Sequence, residues 1–279
     1  MIAIHNSLLE RGFMSSYNVK VFHYLGETQF RFYSKPINDN SEIDKDILKS
    51  EKILYKIDKD TKKSAQKGDS SRSLTVSQNR TINSIYEITR SNMWEYFITL
   101  TFDPQKVDRF NYDDCAKSVS KWLNNMKKNY APDLRYILVP ELHKNGAYHF
   151  HGLVANCGKM VFSDSGHKTK IKQVIYNLDN YKLGFTTATR VTDSNRASSY
   201  ITKYITKELC ATTKGKKRYW SSKNLNGPEI EKFLMSKEEK DILIDSIQGH
   251  ITYTKGLNCS DADLSVLYVE VNYNKVGQV

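Results

Sequence analysis

The alternation of apolar and polar side chains is sharpest at Phe97-Ile98-Thr99-Leu100-Thr101-Phe102, where Ile98, Leu100 and Phe102 interleave with Thr99, Thr101 and Asp103. A period of two sends successive side chains to opposite faces, so residues 94–102 are predicted to form a strand with one core face and one polar face. Two further strands are predicted over 134–139 and 148–155, joined by a turn at Asn145-Gly146. Residues 184–191 and 264–273 read as strands too, and the β-branched and aromatic runs 19–24 and 29–33 around Gly26 predict an N-terminal hairpin.

Helical spacing appears elsewhere. Ile82, Ile85, Tyr86 and Ile88 predict a helix over 80–92. Val119, Trp122, Leu123 and Met126 share one side of an amphipathic segment preceded by Asp113 and Asp114, whose charges suit the positive end of a helix. Residues 194–209 predict a helix that Asp193 can cap, and 229–247 reads as helical. Between 41 and 78 the chain is rich in Lys, Asp, Ser and Gln and has little apolar patterning, as in a linker. Strands and helices mix without regular βαβ alternation, which predicts an α+β class: a central antiparallel sheet with flanking helices. The expected organisation is an N-terminal hairpin extension (1–40), a polar linker (41–79), a central domain (80–212) and a basic, helical C-terminal extension (213–279).

Composition adds a sign of charge. The 42 basic and 31 acidic side chains leave a formal charge of +11, a field that attracts a polyanion such as nucleic acid or an acidic membrane surface. Cys115, Cys157, Cys210 and Cys259 form no CxxC pair, so neither a zinc knuckle nor a disulfide framework is expected, and a reducing compartment fits. No apolar run nears the roughly 20 residues of a membrane helix, and no secretory leader pattern opens the sequence. The chain is therefore expected to be cytoplasmic, with no membrane partner.

The first segment that carries chemistry is Glu141-Leu142-His143-Lys144-Asn145-Gly146-Ala147-Tyr148-His149-Phe150-His151. On a strand His149 and His151 point to one face and Phe150 to the other. Glu141, across the predicted hairpin, can complete a metal site of two nitrogens and one carboxylate with positions left open. His143 is a competing third ligand, although its place at the turn beside Lys144 favours solvent. The same ligand set serves a zinc hydrolase equally well, so it does not choose the reaction.

The second segment repeats the unit Tyr-Ile-Thr-Lys: Tyr200-Ile201-Thr202-Lys203-Tyr204-Ile205-Thr206-Lys207. On a helix Tyr200 and Tyr204 share a face with Lys203 and Lys207 beside them, and Ala197, Ile201, Ile205 and Leu209 form the adjacent apolar stripe, offset by roughly a quarter turn. Phosphodiester cleavage by a side-chain oxygen needs a nucleophile, a Lewis acid and a cation for the developing charge. Tyrosine, the histidine pair and Lys203 are residues of those three kinds. A phenol has a pKa near 10 and needs nearby positive charge or a base to be activated. Lys214, Lys216, Lys217, Arg218, Tyr219 and Trp220 add a mixture of cations and aromatics suited to a single strand.

Taken together, residues 97–102, the His149-Phe150-His151 triplet and Tyr200-Ile201-Thr202-Lys203-Tyr204 resemble, in that order, the three motifs of the HUH endonucleases, and among them the rolling-circle replication initiators of bacterial plasmids and small phages. Relaxases are similar to a permuted version with tyrosine ahead of the histidines. The resemblance is strong over about 94–209 and weaker over 80–92 and Arg218-Tyr219-Trp220-Ser221. It implies a central antiparallel sheet, a magnesium or manganese ion (Mg2+ or Mn2+), and nicking of single-stranded origin DNA with strand transfer through a 5′-phosphotyrosine. It further implies that Tyr200 is the first nucleophile, Tyr204 the second, Lys203 the cation at the phosphate, and His149, His151 and Glu141 the metal ligands. Some initiators with an aromatic at the second position use the first tyrosine alone. No GxxxxGK[ST] phosphate loop occurs, so no nucleotide cofactor is expected and a host helicase and DNA polymerase are implied partners. A non-catalytic DNA-binding replication or transcription regulator is the alternative.

Overall fold

In a computed structural model, residues 16–38, 70–259 and 263–273 are described. In chain order the elements begin with β1 (Ser16–Tyr24), β2 (Glu27–Asn38), α1 (Ser70–Arg90), β3 (Tyr96–Leu100), α2 (Tyr112–Asn129), β4 (Arg135–Leu142) and β5 (Tyr148–Ala155). They continue with β6 (Phe162–Lys168), β7 (Val174–Leu178), β8 (Thr186–Arg190), α3 (Ser194–Ile201), a 3-10 turn (Thr202–Tyr204) and α4 (Lys207–Thr212). The last are β9 (Trp220–Ser221), β10 (Glu229–Phe233), α5 (Lys237–Ile247), β11 (Ile251–Cys259) and β12 (Leu264–Val271). Two antiparallel sheets with several helices make the protein α+β.

The chain forms two compact units, residues 62–227 and a unit drawn from both ends, 1–61 with 228–279. In the latter the strand order is β10-β1-β2-β12-β11. The expected N-terminal hairpin is present, but its outer neighbours β10 and β12 come from the other end of the chain, so the two ends build one sheet. Val19, Val21, Phe30, Phe32, Val269 and Val271 pack with Met235 and Ile247 around α5. The helix expected over 229–247 is corrected here. Glu229–Phe233 pairs with β1 as a strand, and a capping box in which Ser236 and Glu239 satisfy each other's backbone N–H starts α5 only at Lys237.

The other unit holds a seven-stranded sheet in the order β6-β7-β8-β3-β5-β4-β9. β3 sits between β8 and β5 in antiparallel register, with Ile98 and Leu100 fully buried on the face expected to be core. α2 packs with that face through Val119, Trp122, Leu123 and Met126, the predicted stripe. Asn111 accepts from the backbone N–H groups of Asp113 and Asp114 and so caps α2. α1 begins at Ser70, ahead of the predicted start at residue 80, and packs along α3, the 3-10 turn and α4. Of the expected linker, residues 41–69 lie outside the described residues. The β6–β7 hairpin escapes the sequence pattern because Phe162-Ser-Asp-Ser-Gly-His-Lys is polar, lies at the sheet edge and carries a bulge between Asp164 and His167.

Two glycines are fixed by crowding. A Cβ on Gly152 would stand 2.1 Å from Leu138 Cδ2 and 2.7 Å from the Ile137 carbonyl oxygen, and one on Gly184 would stand 2.3 Å from the Thr101 carbonyl oxygen. Both positions let backbone approach backbone beside the strands that carry the site.

Candidate active site

β5 presents His149 and His151 on one face and Phe150 on the other, as period two requires. Phe150 is fully buried, with its ring edge-on to Trp220 at 5.1 Å and to Phe102 at 5.9 Å. His151 is held at both nitrogens. Its Nε2 is 2.7 Å from Glu141 Oε2, and its Nδ1 is 3.1 Å from Thr99 Oγ1. In the neutral tautomer that fits both contacts, Nε2–H donates to the carboxylate and Nδ1 accepts from the threonine hydroxyl.

The register explains the convergence. Glu141 is the cross-strand partner of His149, and Thr99 is the partner of His151. One ladder therefore brings a carboxylate, two imidazoles and a hydroxyl from three strands onto one face. The hydrogen bond from His151 holds the Glu141 carboxyl below the usual carboxylate range. Burial, aided by the charges of His143, His151 and Arg109, holds His149 below the ordinary imidazole value. His143 is exposed at the turn, as expected, yet its ring lies against His149 with centroids 5.3 Å apart and planes 17° apart.

The tyrosine segment differs from its prediction. The helix expected over 194–209 breaks into α3, the 3-10 turn and α4, with Ile205 at φ −81° and ψ 78°. Asp193 caps α3 as predicted, through its side chain and the Arg196 N–H. Two local competitors explain the break. Thr202 donates its hydroxyl to the Ser199 carbonyl, and Thr206 in extended conformation caps α4 by accepting from the Leu209 N–H. From outside the segment, Gln78 of α1 donates to the Ile205 carbonyl at 2.7 Å.

The apolar stripe keeps its role despite the break, since Ile201, Ile205 and Leu209 are all in the core. Tyr200 and Tyr204 still meet, edge to face at 5.7 Å between centroids. Their surroundings are unequal. Tyr204 stacks on His151 with centroids 3.7 Å apart and planes 6° apart, whereas Tyr200 is 44% exposed and touches Phe97 edge-on at 5.3 Å. Burial and a hydrogen bond with Tyr200 push the Tyr204 phenol well above the ordinary tyrosine value. Lys203 is exposed, with Nζ 4.8 Å from the Tyr200 ring centroid. Lys207 lies past the break, at the start of α4.

Glu141, His151, Tyr204, Tyr200 and Lys203 thus form a continuous series of neighbours, with His149 beside Glu141 in the register. Trp220, read as a base-stacking candidate, is instead 4% exposed and donates its indole N–H to Ser120 Oγ. Thr99, Phe97, Arg109 and Gln78 belong to the site or its frame and were not singled out from the sequence. The polar face of β3 held the signal for Thr99, since alternation alone places it opposite the buried Ile98 and Leu100. Among the described residues no three His, Cys, Asp or Glu side chains are already arranged around a common ion position. No helix among them is long and apolar enough to cross a membrane.

The matched part of the chain is the part just described. Residues 95–209, from the start of β3 into α4, match the model of a family described as replication-associated protein, the ORF2 type. That stretch contains all of the residues predicted for the site. The match supports a replication-associated protein of the initiator, Rep type, acting in DNA replication. No curated protein and no solved structure matches the chain.

Proposed function

We propose that the protein is a site-specific single-stranded DNA nickase and strand transferase that starts replication with Tyr200 as its first nucleophile. The observation that carries this reading is the exposed Tyr200 side chain held, through Tyr204, next to a histidine–carboxylate cluster on the central strands. An exposed phenol can reach a phosphodiester, and the cluster beside it has the donor types of a metal site.

The donor set fits a divalent ion. Glu141 is held ionised and His149 is held neutral, the states in which each ligates, and binding would exchange the Glu141–His151 hydrogen bond for ligation. Glu141, His149 and His151 would hold Mg2+ or Mn2+, which supplies Lewis-acid polarisation of the scissile phosphate. Thr99 fixes the ring plane of His151 from the opposite nitrogen.

In the reaction the Tyr200 oxygen forms a bond to phosphorus while the bond from phosphorus to the 3′ oxygen breaks. The phenolic proton leaves to solvent, and the departing 3′ oxygen takes one up. The 5′ side of the strand remains esterified to Tyr200, so a later attack by a 3′ hydroxyl on that ester rejoins DNA and restores the phenol. Lys203, close to Tyr200, supplies positive charge where the phosphate becomes more anionic. Tyr204, stacked on His151, is the second tyrosine, and it follows Tyr200 because its ring is the more enclosed. A host helicase and DNA polymerase would act on the opened strand.

The test is incubation with single-stranded oligonucleotides from the protein's own replicon in Mg2+, Mn2+ or EDTA, followed by a denaturing gel. The reading expects a covalent adduct that EDTA abolishes. Persistent DNA binding with no adduct under any metal would leave the DNA-binding regulator in its place.

A further inference from the structure

The basic loop after α4 has a structure that the nicking site does not use. It closes a cleft of about 530 Å³ against α1, lined by Ser77 and Thr81 of the helix and by Lys216, Lys217, Arg218 and Tyr219 of the loop. Arg218 is anchored into the frame. Its Nη1 donates to Ser77 Oγ at 2.6 Å and its Nη2 to the Cys210 carbonyl at 3.3 Å, while its Nε is buried with no hydrogen-bond partner. Lys216 is neutralised by Asp113 at 2.7 Å. Among the described residues neither Lys217 nor Arg218 has a carboxylate partner, and no carboxylate lines the cleft.

Hydroxyls and uncompensated cations around one opening select an anion. A half-buried guanidinium with a free N–H is a strong phosphate donor. The cleft far exceeds a lone phosphate, and Tyr219 adds a half-buried ring at its wall. Its place on the sheet is also informative. Ser221, another lining residue, pairs with Ile137, which by alternation along β4 shares a face with Glu141. The cleft therefore opens on the face that carries the histidines and the tyrosines, at the β9 edge.

We propose that this cleft is a second phosphate-binding subsite that grips the backbone of the single DNA strand away from the scissile phosphate. Lys217 and Arg218 hold phosphate oxygens, Ser77 Oγ–H donates to one of them, and Tyr219 packs on the neighbouring sugar or base. The nature of the strand rests on the nickase reading, whereas the binding of a phosphodiester backbone does not depend on cleavage.

The experiment is fluorescence anisotropy with a labelled single-stranded oligonucleotide in EDTA, using the Tyr200→Phe chain so that nothing is cut. Affinity is measured across a salt series for this chain, for the same chain with Lys217→Glu, and for the same chain with Lys170→Glu, an exposed lysine elsewhere. Removing one cation from a phosphate should flatten the slope of log affinity against log salt by about 0.7. The proposal expects that flattening, with weaker binding, for Lys217→Glu and a clearly smaller change for Lys170→Glu. Arg218→Lys, which keeps the charge and removes the fork, should weaken binding with no change in melting temperature beyond a few degrees. Equal slopes for the two glutamate variants would overturn the subsite, since the protein's general field alone would then explain binding. Displacement of the oligonucleotide by thymidine monophosphate or inorganic phosphate at similar concentration would overturn the strand assignment in favour of a small-anion site. An adduct from the unaltered chain with no Lys217 effect contradicts the cleft alone. A Lys217 effect with no adduct contradicts the nickase reading alone.

Discussion

β5 and the tyrosine segment face each other across the same site and are built on opposite terms. β5 lies inside the seven-stranded sheet with neighbours on both sides, so the direction of His149 and His151 is fixed by alternation and by two registers. The tyrosine segment is three short pieces whose order depends on threonine side chains and on Gln78 from another helix. A ladder sets the ligand side of the chemistry rigidly. The nucleophile side sits on an element whose geometry is set by tertiary contacts and is easier to shift, as suits a residue that must engage and release a strand.

The largest effect that can break this comparison is loss of the nucleophile itself. Tyr200→Phe should reduce the rate of covalent adduct formation at least about 10³-fold, measured on single-stranded origin DNA, while Tyr204→Phe should keep the first adduct. If Tyr204→Phe were the more damaging, the assignment of the exposed ring as first attacker would fail. Next comes the rigidity of the ladder. Gly152→Ala should destabilise the fold by about 3 kcal/mol through overpacking against Leu138 and the Ile137 carbonyl, read from urea unfolding; a change within a few tenths of a kcal/mol would mean that β4 and β5 can move apart.

A smaller effect tests the support of His151. Thr99→Val removes the hydroxyl at its Nδ1 and should weaken Mn2+ binding by about 10–100-fold, measured by calorimetry on the free protein. Unchanged affinity would take Thr99 out of the site. The smallest concerns the break. Thr206→Ala removes the α4 cap and should cost about 1 kcal/mol, and Gln78→Ala should cost about 1 kcal/mol by leaving the Ile205 carbonyl unpaired. Both should slow adduct formation more than they lower DNA affinity. An equal fall in both would mean that the segment positions DNA rather than the phenol.

What could be read ahead of the structure follows the same division. The strands of the site were legible because each is a period-two pattern with one buried face, and the turn at Asn145-Gly146, with Gly146 at φ 84°, was legible because few residues take that conformation. The stripe of α2 was legible for the equivalent helical reason. The break at Ile205 was not, since a residue's hydrophobic spacing is the same whether the helix continues or is recapped, and the donor that fixes the break is Gln78, distant in sequence. β10 reads as Glu-Ile-Glu-Lys-Phe, a pattern that serves a strand or a helix, and only pairing with β1 decides it. The joint sheet of the two chain ends is likewise a matter of long-range pairing that no local window holds.

The central claim is tested most directly by locating the DNA on the protein. Lys203 separates the two tyrosines, so trypsin cutting after Arg196, Lys203 and Lys207 places Tyr200 and Tyr204 on different peptides. Mass spectrometry of the adduct formed with a single-stranded origin oligonucleotide and Mn2+ should find a nucleotide phosphate on the peptide containing Tyr200. Nucleotide found on the Tyr204 peptide alone, or on neither, would contradict the account.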